Sequence, residues 1–178
     1  MSQSASQNVM SSDYLPQNTQ SVLDNYGKLD VDAKLALLYY VYEKMGSSVT
    51  PAAPAATEPE LAPLLMGNYF GLSHDEQLQI MRDIVNRADT EYSRAYGALK
   101  ENNQLMVWYA WAQAMGNQVV GMPEGYSASQ PITDALGQIE GLAFDDQISL
   151  LREIASSMGY TDVQPIPSQA ETGKTASL

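Results

Sequence analysis

Residues 35–46 read Leu-Ala-Leu-Leu-Tyr-Tyr-Val-Tyr-Glu-Lys-Met-Gly, and this stretch decides the fold class. Large apolar side chains recur in it with the spacing of one helix face, at Leu35, Leu38, Tyr39 and Tyr42. Asp30 lies upstream as a good capping residue, and Gly46 follows as a common stop signal. The pattern therefore predicts a long amphipathic helix from Asp30 to Met45.

Five further segments show helical spacing and polar or glycine boundaries. They are Ser73 to Arg87, Glu91 to Leu99, Asn102 to Met115, Ile132 to Gln138 and Phe144 to Met158. Ser73 and Glu76 have the spacing of a capping box. The strict alternation of polar and apolar residues that is typical of strands is absent, so the expected fold is all-α.

Three of these helices share an ending in which a methionine precedes a glycine, at Met45-Gly46, Met115-Gly116 and Met158-Gly159. Two explanations stay open, namely duplication into two bundles and chance likeness between capped amphipathic helices. The irregular spacing excludes a solenoid.

The two ends of the chain are polar and low in hydrophobicity. We expect residues 1–18 and 164–178 to be disordered, because they bury too little apolar surface to offset their ordering entropy. Residues 19–163 are expected to form one helical domain. Within it, Pro51, Pro54, Pro59 and Pro63 lie in an alanine-rich segment that indicates a stiff connection rather than a helix.

Charge and composition exclude several classes of function. The formal net charge of -12 disfavours binding to nucleic acids and to anionic membrane surfaces. The longest apolar run, residues 35–42, is much shorter than the roughly 20 residues of a membrane-spanning helix. With no recognisable targeting signal, we expect a soluble cytoplasmic protein without stable membrane insertion.

Catalytic constellations are not apparent. The chain has no cysteine and one histidine, His74, which lies at a helix start where a surface position is usual. The acidic pairs Asp75-Glu76 and Asp145-Asp146 also lie at helix starts, where they complement the helix dipole. We therefore expect a protein that is not an enzyme and that contains no metal site.

The aromatic residues are the unusual feature of the sequence. Tyrosines at 39, 40 and 42 share one helix, and Trp108, Tyr109 and Trp111 share another. Such stripes are often ordinary core. They could also converge on a flat, rigid slot, in which methionines adapt to an irregular apolar shape, and such a lining suits a planar hydrophobic ligand.

Several motifs in order along residues 29–160 resemble the N-terminal domain of the cyanobacterial orange carotenoid protein family. They are the helix at residues 35–46, Asn86-Arg87-Ala88-Asp89-Thr90, Trp108-Tyr109, Pro123-Glu124-Gly125-Tyr126, and Leu151-Arg152 followed by Met158-Gly159. A counterpart of the family's C-terminal sensor domain is not visible, so we expect a stand-alone helical carotenoid protein.

The resemblance implies two interleaved four-helix bundles that enclose a carotenoid tunnel, with one ketocarotenoid held there non-covalently. The expected ligand is canthaxanthin, echinenone or hydroxyechinenone, and chloride is a further family ligand that no residue pattern here requires. By residue-wise match, Tyr42, Trp108, Tyr109 and Tyr126 would pack around the ring and polyene. Tyr39 stands where the family has a tryptophan. The remaining tunnel residues would be Leu35, Leu38, Met81, Ala112, Met115, Met122 and Ile148.

The resemblance also implies photoprotection, in which the pigment quenches singlet oxygen and excited phycobilisomes, with association to phycobilisomes or thylakoids. Arg152 and Asn102 match family positions that contact partners, but Glu153 replaces the family's neutral neighbour, which favours a solvated arginine on the helix surface. The alternatives are a carotenoid carrier that exchanges pigment with membranes or with a donor resembling the C-terminal domain, and a structural helical protein without pigment.

Overall fold

The computed structural model describes residues 15–49 and 62–162, and these residues fold into helices joined by short turns. The helices are α1 (Gln17–Gly27), α2 (Val31–Val49), α3 (Pro63–Met66), α4 (His74–Val85), α5 (Glu91–Gly97), α6 (Glu101–Gln113), α7 (Gln130–Glu140) and α8 (Phe144–Ser156), with a 3-10 turn at Asn68–Gly71. Within the described ranges no strand forms, and β-type pairing is limited to an isolated bridge between Met115 and Val119. The all-α expectation is confirmed.

Side-chain caps fix where several helices begin. Asp30 accepts a hydrogen bond from the Ala33 backbone N–H at 2.8 Å, which starts α2 as expected. Ser73 accepts from the Glu76 backbone N–H at 3.2 Å, and Glu76 accepts from the Ser73 backbone N–H at 3.1 Å. This reciprocal pair is the capping box expected from the sequence, and it makes exposed His74 the first residue of α4.

One predicted helix end is wrong. Helix α2 continues through Gly46 to Val49, whereas Gly116 and Gly159 lie three residues beyond the ends of α6 and α8 and have positive φ angles of 80° and 83°. A glycine stops a helix when its backbone turns left-handed, and it is merely tolerated when it stays helical. Met115-Gly116 and Met158-Gly159 therefore share a glycine with a left-handed backbone after the helix, whereas Gly46 of Met45-Gly46 stays helical.

Two other boundaries also differ from expectation. Helix α1 was not predicted, and it begins at Gln17, so the boundary expected between residues 18 and 19 falls inside a helix. Pro63 is the first residue of α3 rather than part of the connection, because proline fits the first helical turn, where no N–H partner is needed. Residues 1–14, residues 163–178 and the prolines at 51, 54 and 59 lie outside the described residues.

The helices divide into two groups of four that interleave along the chain. Helices α1 and α2 both pack on α7 and α8, while α3 packs on α5 and α6, and α4 packs on α5. The chain leaves the first bundle after α2 and returns to it at α7. Contacts of α2 with α4 and α6, and of α6 with α8, join the bundles. This is the interleaved arrangement that the sequence analysis predicted.

One continuous apolar core runs through both bundles, with α2 in its centre: Leu37 and Val41 are each 1% exposed. None of the helices within residues 15–49 and 62–162 is both long and apolar enough to cross a bilayer.

Candidate ligand-binding cleft

An apolar cleft of about 30 Å³ lies where the two bundles meet. Its eight lining residues come from α2, α4, α6 and the turn after α6: Leu38, Tyr39, Tyr42, Met81, Trp108, Trp111, Ala112 and Met115. Seven of these eight are residues that the sequence analysis assigned to the tunnel. The helical spacing on α2 and α6 accounts for this convergence, because each helix presents one face to the junction.

Trp111 is the lining residue that the set of predicted site residues omitted. Its ring stacks on Tyr69 with centroids 3.9 Å apart and an interplanar angle of 12°. It also packs edge-to-face with Trp108, with ring centroids 5.3 Å apart. Its indole N–H donates to the Leu65 carbonyl oxygen at 3.0 Å. Helical spacing on α6 puts residues 108, 111, 112 and 115 on one face, so the signal for Trp111 was present in the sequence.

Trp108 is fixed by a buried hydrogen-bond chain. Its indole N–H donates to the Tyr96 hydroxyl at 2.8 Å, and that hydroxyl donates to the Ala155 carbonyl oxygen at 2.8 Å. Burial raises the pKa of Tyr96 well above its ordinary value, so the phenol stays neutral at physiological pH. The chain ties the cleft wall on α6 to α5 and to α8 in the other bundle.

Tyr42 is held in the same way on the opposite wall. Its hydroxyl donates to the Leu105 carbonyl oxygen at 3.2 Å, and its ring meets Tyr109 with centroids 6.1 Å apart. Burial raises the pKa of Tyr42 strongly, so this phenol is also neutral. Tyr109 therefore supports a lining residue, although it does not itself line the cleft.

A fully buried glutamine anchors the end of the cleft that carries Met115. The Gln77 side-chain nitrogen donates to the carbonyl oxygens of Tyr69 and Gln118 at 3.1 and 2.9 Å, and its oxygen accepts from the Val120 N–H at 2.9 Å. Because both polar atoms of the amide have hydrogen-bond partners, burying the side chain leaves no polar atom unsatisfied. Gln77 thereby fixes the turn after α6 against α4.

Four other predicted tunnel residues lie outside this cleft. Leu35 and Met122 are half-buried against the core, and Ile148 belongs to the core at 8% exposure. Tyr126 is 38% exposed and closes a turn in which its N–H donates to the Pro123 carbonyl oxygen at 3.0 Å. Gly125 has φ 74° at the third position, as a type II turn requires. Their contact with a ligand stays a prediction.

The two residues proposed to meet a partner touch each other. The Arg152 Nε donates to the Asn102 side-chain oxygen at 2.9 Å, which links α8 to the first turn of α6 on an accessible surface. This hydrogen bond places both predicted residues in one small patch.

The motif at residues 86–90 has a structural explanation. Arg87 has a positive φ of 58° and ends α4: its N–H donates to the Ile84 carbonyl oxygen, and the Ala88 N–H donates to that of Asp83. These two bonds make a Schellman ending. Thr90 then caps α5 by accepting from the Ser93 N–H at 3.1 Å. The motif builds the turn between α4 and α5.

The chemistry of the cleft walls fits a flat apolar ligand better than a polar substrate. The buried donors on Tyr42, Trp108 and Trp111 are all bound to protein acceptors, so aromatic faces, methionine and aliphatic carbon meet the cleft. Its volume holds about one water molecule, so the helices must move apart to accommodate a larger ligand. Within the described residues, groups of three or more potential metal-binding side chains do not occur.

The fold and the cleft define an all-α protein with an apolar site between two interleaved bundles. The family model described as "Orange carotenoid protein, N-terminal" matches residues 12–161. The chain belongs to this carotenoid-binding family.

Relatives of known sequence agree with this assignment. An orange carotenoid-binding domain-containing protein of Nostoc sp. is 39% identical over 140 residues, which cover 78% of this chain and 82% of that protein. The orange carotenoid-binding protein of Synechocystis sp. is 32% identical over 155 residues, 86% of this chain. The chain spans about half the length of the orange carotenoid-binding proteins that it matches.

Solved structures show the same fold. The Red Carotenoid Protein of Anabaena (Nostoc) sp. PCC 7120, in a structure binding canthaxanthin, is 36% identical with a TM-score of 0.70, and the match covers 80% of this chain and 99% of that one. The Orange Carotenoid Protein of the same organism, also binding canthaxanthin, is 26% identical with a TM-score of 0.73 over 83% of this chain and 48% of that one.

Proposed function

We propose that this protein holds one ketocarotenoid non-covalently between its two bundles and acts in photoprotection by quenching singlet oxygen. The observation that carries the proposal is the cleft of neutral aromatic and aliphatic side chains at the bundle junction. The similar Red Carotenoid Protein binds canthaxanthin, which supports a pigment with keto groups.

The role of the protein in such a function is to hold and shield the ligand. The bound pigment would supply low-lying polyene states that accept excitation energy. The Tyr42 and Trp108 rings are fixed by their buried hydrogen bonds, so they present rigid faces to a flat ligand. Proton transfer has no part in this chemistry, which fits the raised pKa values of the buried phenols near the cleft.

Phycobilisome excitation is a second proposed target of quenching. The patch formed by Arg152 and Asn102 supports it, because both side chains are accessible and linked at 2.9 Å. Substituting Arg152→Glu should then reduce quenching of isolated phycobilisomes while leaving pigment binding unchanged. Unchanged phycobilisome fluorescence with this variant would contradict a role of the patch.

The alternative proposal is a carotenoid carrier that exchanges pigment with membranes or with a donor resembling the family's C-terminal domain. The narrow cleft favours it in one respect, since a site that must open to bind can also release its ligand. Transfer of canthaxanthin to liposomes within minutes, together with poor protection of a singlet-oxygen probe, would favour the carrier over the quencher.

The decisive experiment is the visible spectrum of protein purified from a canthaxanthin-producing host. We expect a red-shifted, protein-bound carotenoid band, and slower bleaching of a singlet-oxygen probe with pigmented than with colourless protein. The substitution Ala112→Leu should fill the cleft and abolish the colour, while Gln113→Leu, at an exposed position of the same helix, should keep it. Far-UV circular dichroism checks folding, and a colourless, folded wild-type protein would refute the proposal.

A further inference from the structure

The polar atoms of the cleft residues differ in how firmly their partners are fixed. Four of the eight lining side chains carry a nitrogen or oxygen atom: Tyr39, Tyr42, Trp108 and Trp111. The last three donate to acceptors inside the protein. These donors cannot turn to a ligand without leaving a buried acceptor unpaired, which is unfavourable.

Tyr39 is different because its partner is on the surface. Its hydroxyl donates to the Glu43 carboxylate at 3.4 Å, one helical turn further along α2, and Glu43 is exposed. The Tyr39 ring lines the cleft while its hydroxyl lies at the rim. This long, exposed bond can exchange partners with an incoming ligand at little cost.

The protonation states at the rim set which ligand groups fit. Burial and the negative charge of Glu43 raise the pKa of Tyr39, so the phenol keeps its proton at neutral pH. A carboxylate can only accept hydrogen bonds, so Glu43 accepts the hydrogen bond that the Tyr39 hydroxyl donates. The lone pairs of the Tyr39 oxygen stay free to accept a second hydrogen bond. The rim therefore offers two acceptors, the Tyr39 oxygen and the Glu43 carboxylate.

We propose that Tyr39 and Glu43 are specificity-determining residues that favour a carotenoid whose end ring at this rim carries a hydroxyl group. A ring hydroxyl can donate to either acceptor, whereas a keto oxygen can only accept and must compete with Glu43 for the single phenolic proton. A ring without oxygen gains nothing at this position. The inference rests on the proposed carotenoid function and specifies the ligand class of the same site.

The test is a competition between two pigments that differ by one ring hydroxyl, namely hydroxyechinenone and echinenone. Pigment-free protein is incubated with an equimolar mixture in detergent, repurified, and its bound pigments are separated by chromatography. One neutral hydrogen bond at an accessible site should enrich the hydroxylated pigment about three-fold in the wild-type protein. The double variant Tyr39→Phe with Glu43→Ala should bind both pigments about equally, and each single variant should lie between these limits.

Tyr40→Phe is the matched control, since Tyr40 adjoins Tyr39 on α2 with rings 5.5 Å apart but does not line the cleft. Its enrichment should equal that of the wild-type protein. Equal uptake of both pigments by the wild-type protein, or an enrichment that survives the double substitution, would overturn the inference while carotenoid binding stands. Failure of the wild-type protein to take up either pigment would instead overturn the proposed function itself.

Discussion

Tyr96 shows how one hydroxyl group can hold two parts of the fold in register. It lies on α5 and is fully buried, yet it accepts from the Trp108 indole on α6 and donates to the Ala155 carbonyl oxygen on α8. One hydroxyl oxygen can accept and donate a hydrogen bond at the same time, whereas a carboxylate can only accept. The orientation of the Trp108 ring at the cleft depends on this group.

We predict that Tyr96→Phe destabilises the protein by about 2 kcal/mol, because the buried Trp108 N–H loses its acceptor while the ring packing is kept. The free energy of unfolding in urea measures the effect. Tyr92→Phe, at a half-buried position of the same helix, should change it by less than about 0.5 kcal/mol. Equal effects of the two substitutions would show that the hydrogen-bond chain is unimportant for stability.

At the residue scale, the family resemblance located most of the residues that line the cleft. Leu38, Met81 and Ala112 were assigned to the tunnel by residue-wise match to the family, and they line the cleft. The partners of the polar atoms could not be predicted. The bond between Tyr96 and Trp108 joins different helices, and its geometry depends on how α5 and α6 cross.

At the scale of elements, two backbone segments pack closely where the end of α5 meets the chain leaving α8. A Cβ atom on Gly97 would collide with the Tyr160 carbonyl oxygen, and one on Gly159 would lie 3.0 Å from the Gly97 nitrogen. The Gly159 N–H donates to the Ile84 carbonyl oxygen at 2.8 Å, and the Tyr160 N–H donates to the Ser93 carbonyl oxygen at 3.1 Å. Backbones can approach this closely only where side chains are missing.

We predict that Gly97→Ala destabilises the protein by about 2 kcal/mol, since the collision is with backbone atoms that cannot rotate away. Gly137→Ala is the matched comparison, because Gly137 lies within α7 and a Cβ there would meet no atom within 4 Å. It should stabilise the protein by about 0.5–1 kcal/mol through helix propensity. Melting temperatures by circular dichroism should move in opposite directions, and a shift in the same direction would contradict this packing.

Element boundaries were harder to predict than element types, for physical reasons. Gly46 and Gly159 look alike in sequence, but the first stays helical and the second turns left-handed against Gly97. Helix α1 has few apolar residues and no side-chain cap, and Val22 and Tyr26 are buried only because the bundle covers them. Tertiary contacts decide such cases, and they are not visible in a local pattern.

At the scale of the whole molecule, the buried phenols make the fold sensitive to alkali. Tyr26, Tyr42, Tyr69 and Tyr96 are buried, and burial raises the folded-state pKa of each above the ordinary value of 10.0. The unfolded chain ionises these groups near pH 10, while the folded chain keeps them neutral. Their contribution to stability is therefore complete below pH 10 and is lost as the pH rises further.

We predict a steep fall in the free energy of unfolding above about pH 10, by up to about 1.4 kcal/mol per pH unit for each buried tyrosine. Urea titrations at increasing alkaline pH measure the slope, and the tyrosinate absorbance of the four buried groups should appear together with unfolding. Tyr42→Phe should make the slope less steep by the contribution of one buried tyrosine. Tyrosinate absorbance equivalent to all eleven tyrosines before unfolding would contradict deep burial of these four.

The arrangement of the molecule as two bundles was predictable through the family resemblance, and the contacts between helices confirm it. The dimensions of the site were not predictable. Whether Trp108 and Trp111 leave a wide tunnel or close to a cleft of about 30 Å³ depends on distances of a few ångströms between α2, α4 and α6, which no residue pattern encodes.

The interleaved order of the helices also bears on how the chain is assembled during synthesis. Helices α3 to α6 are contiguous, so their bundle can close as soon as residues up to Gln113 have left the ribosome. Helices α1 and α2 precede this segment, but their partners α7 and α8 are translated after it. Until α7 and α8 have been made, α2 can pack only on α4 and α6, so its own bundle closes after the other one.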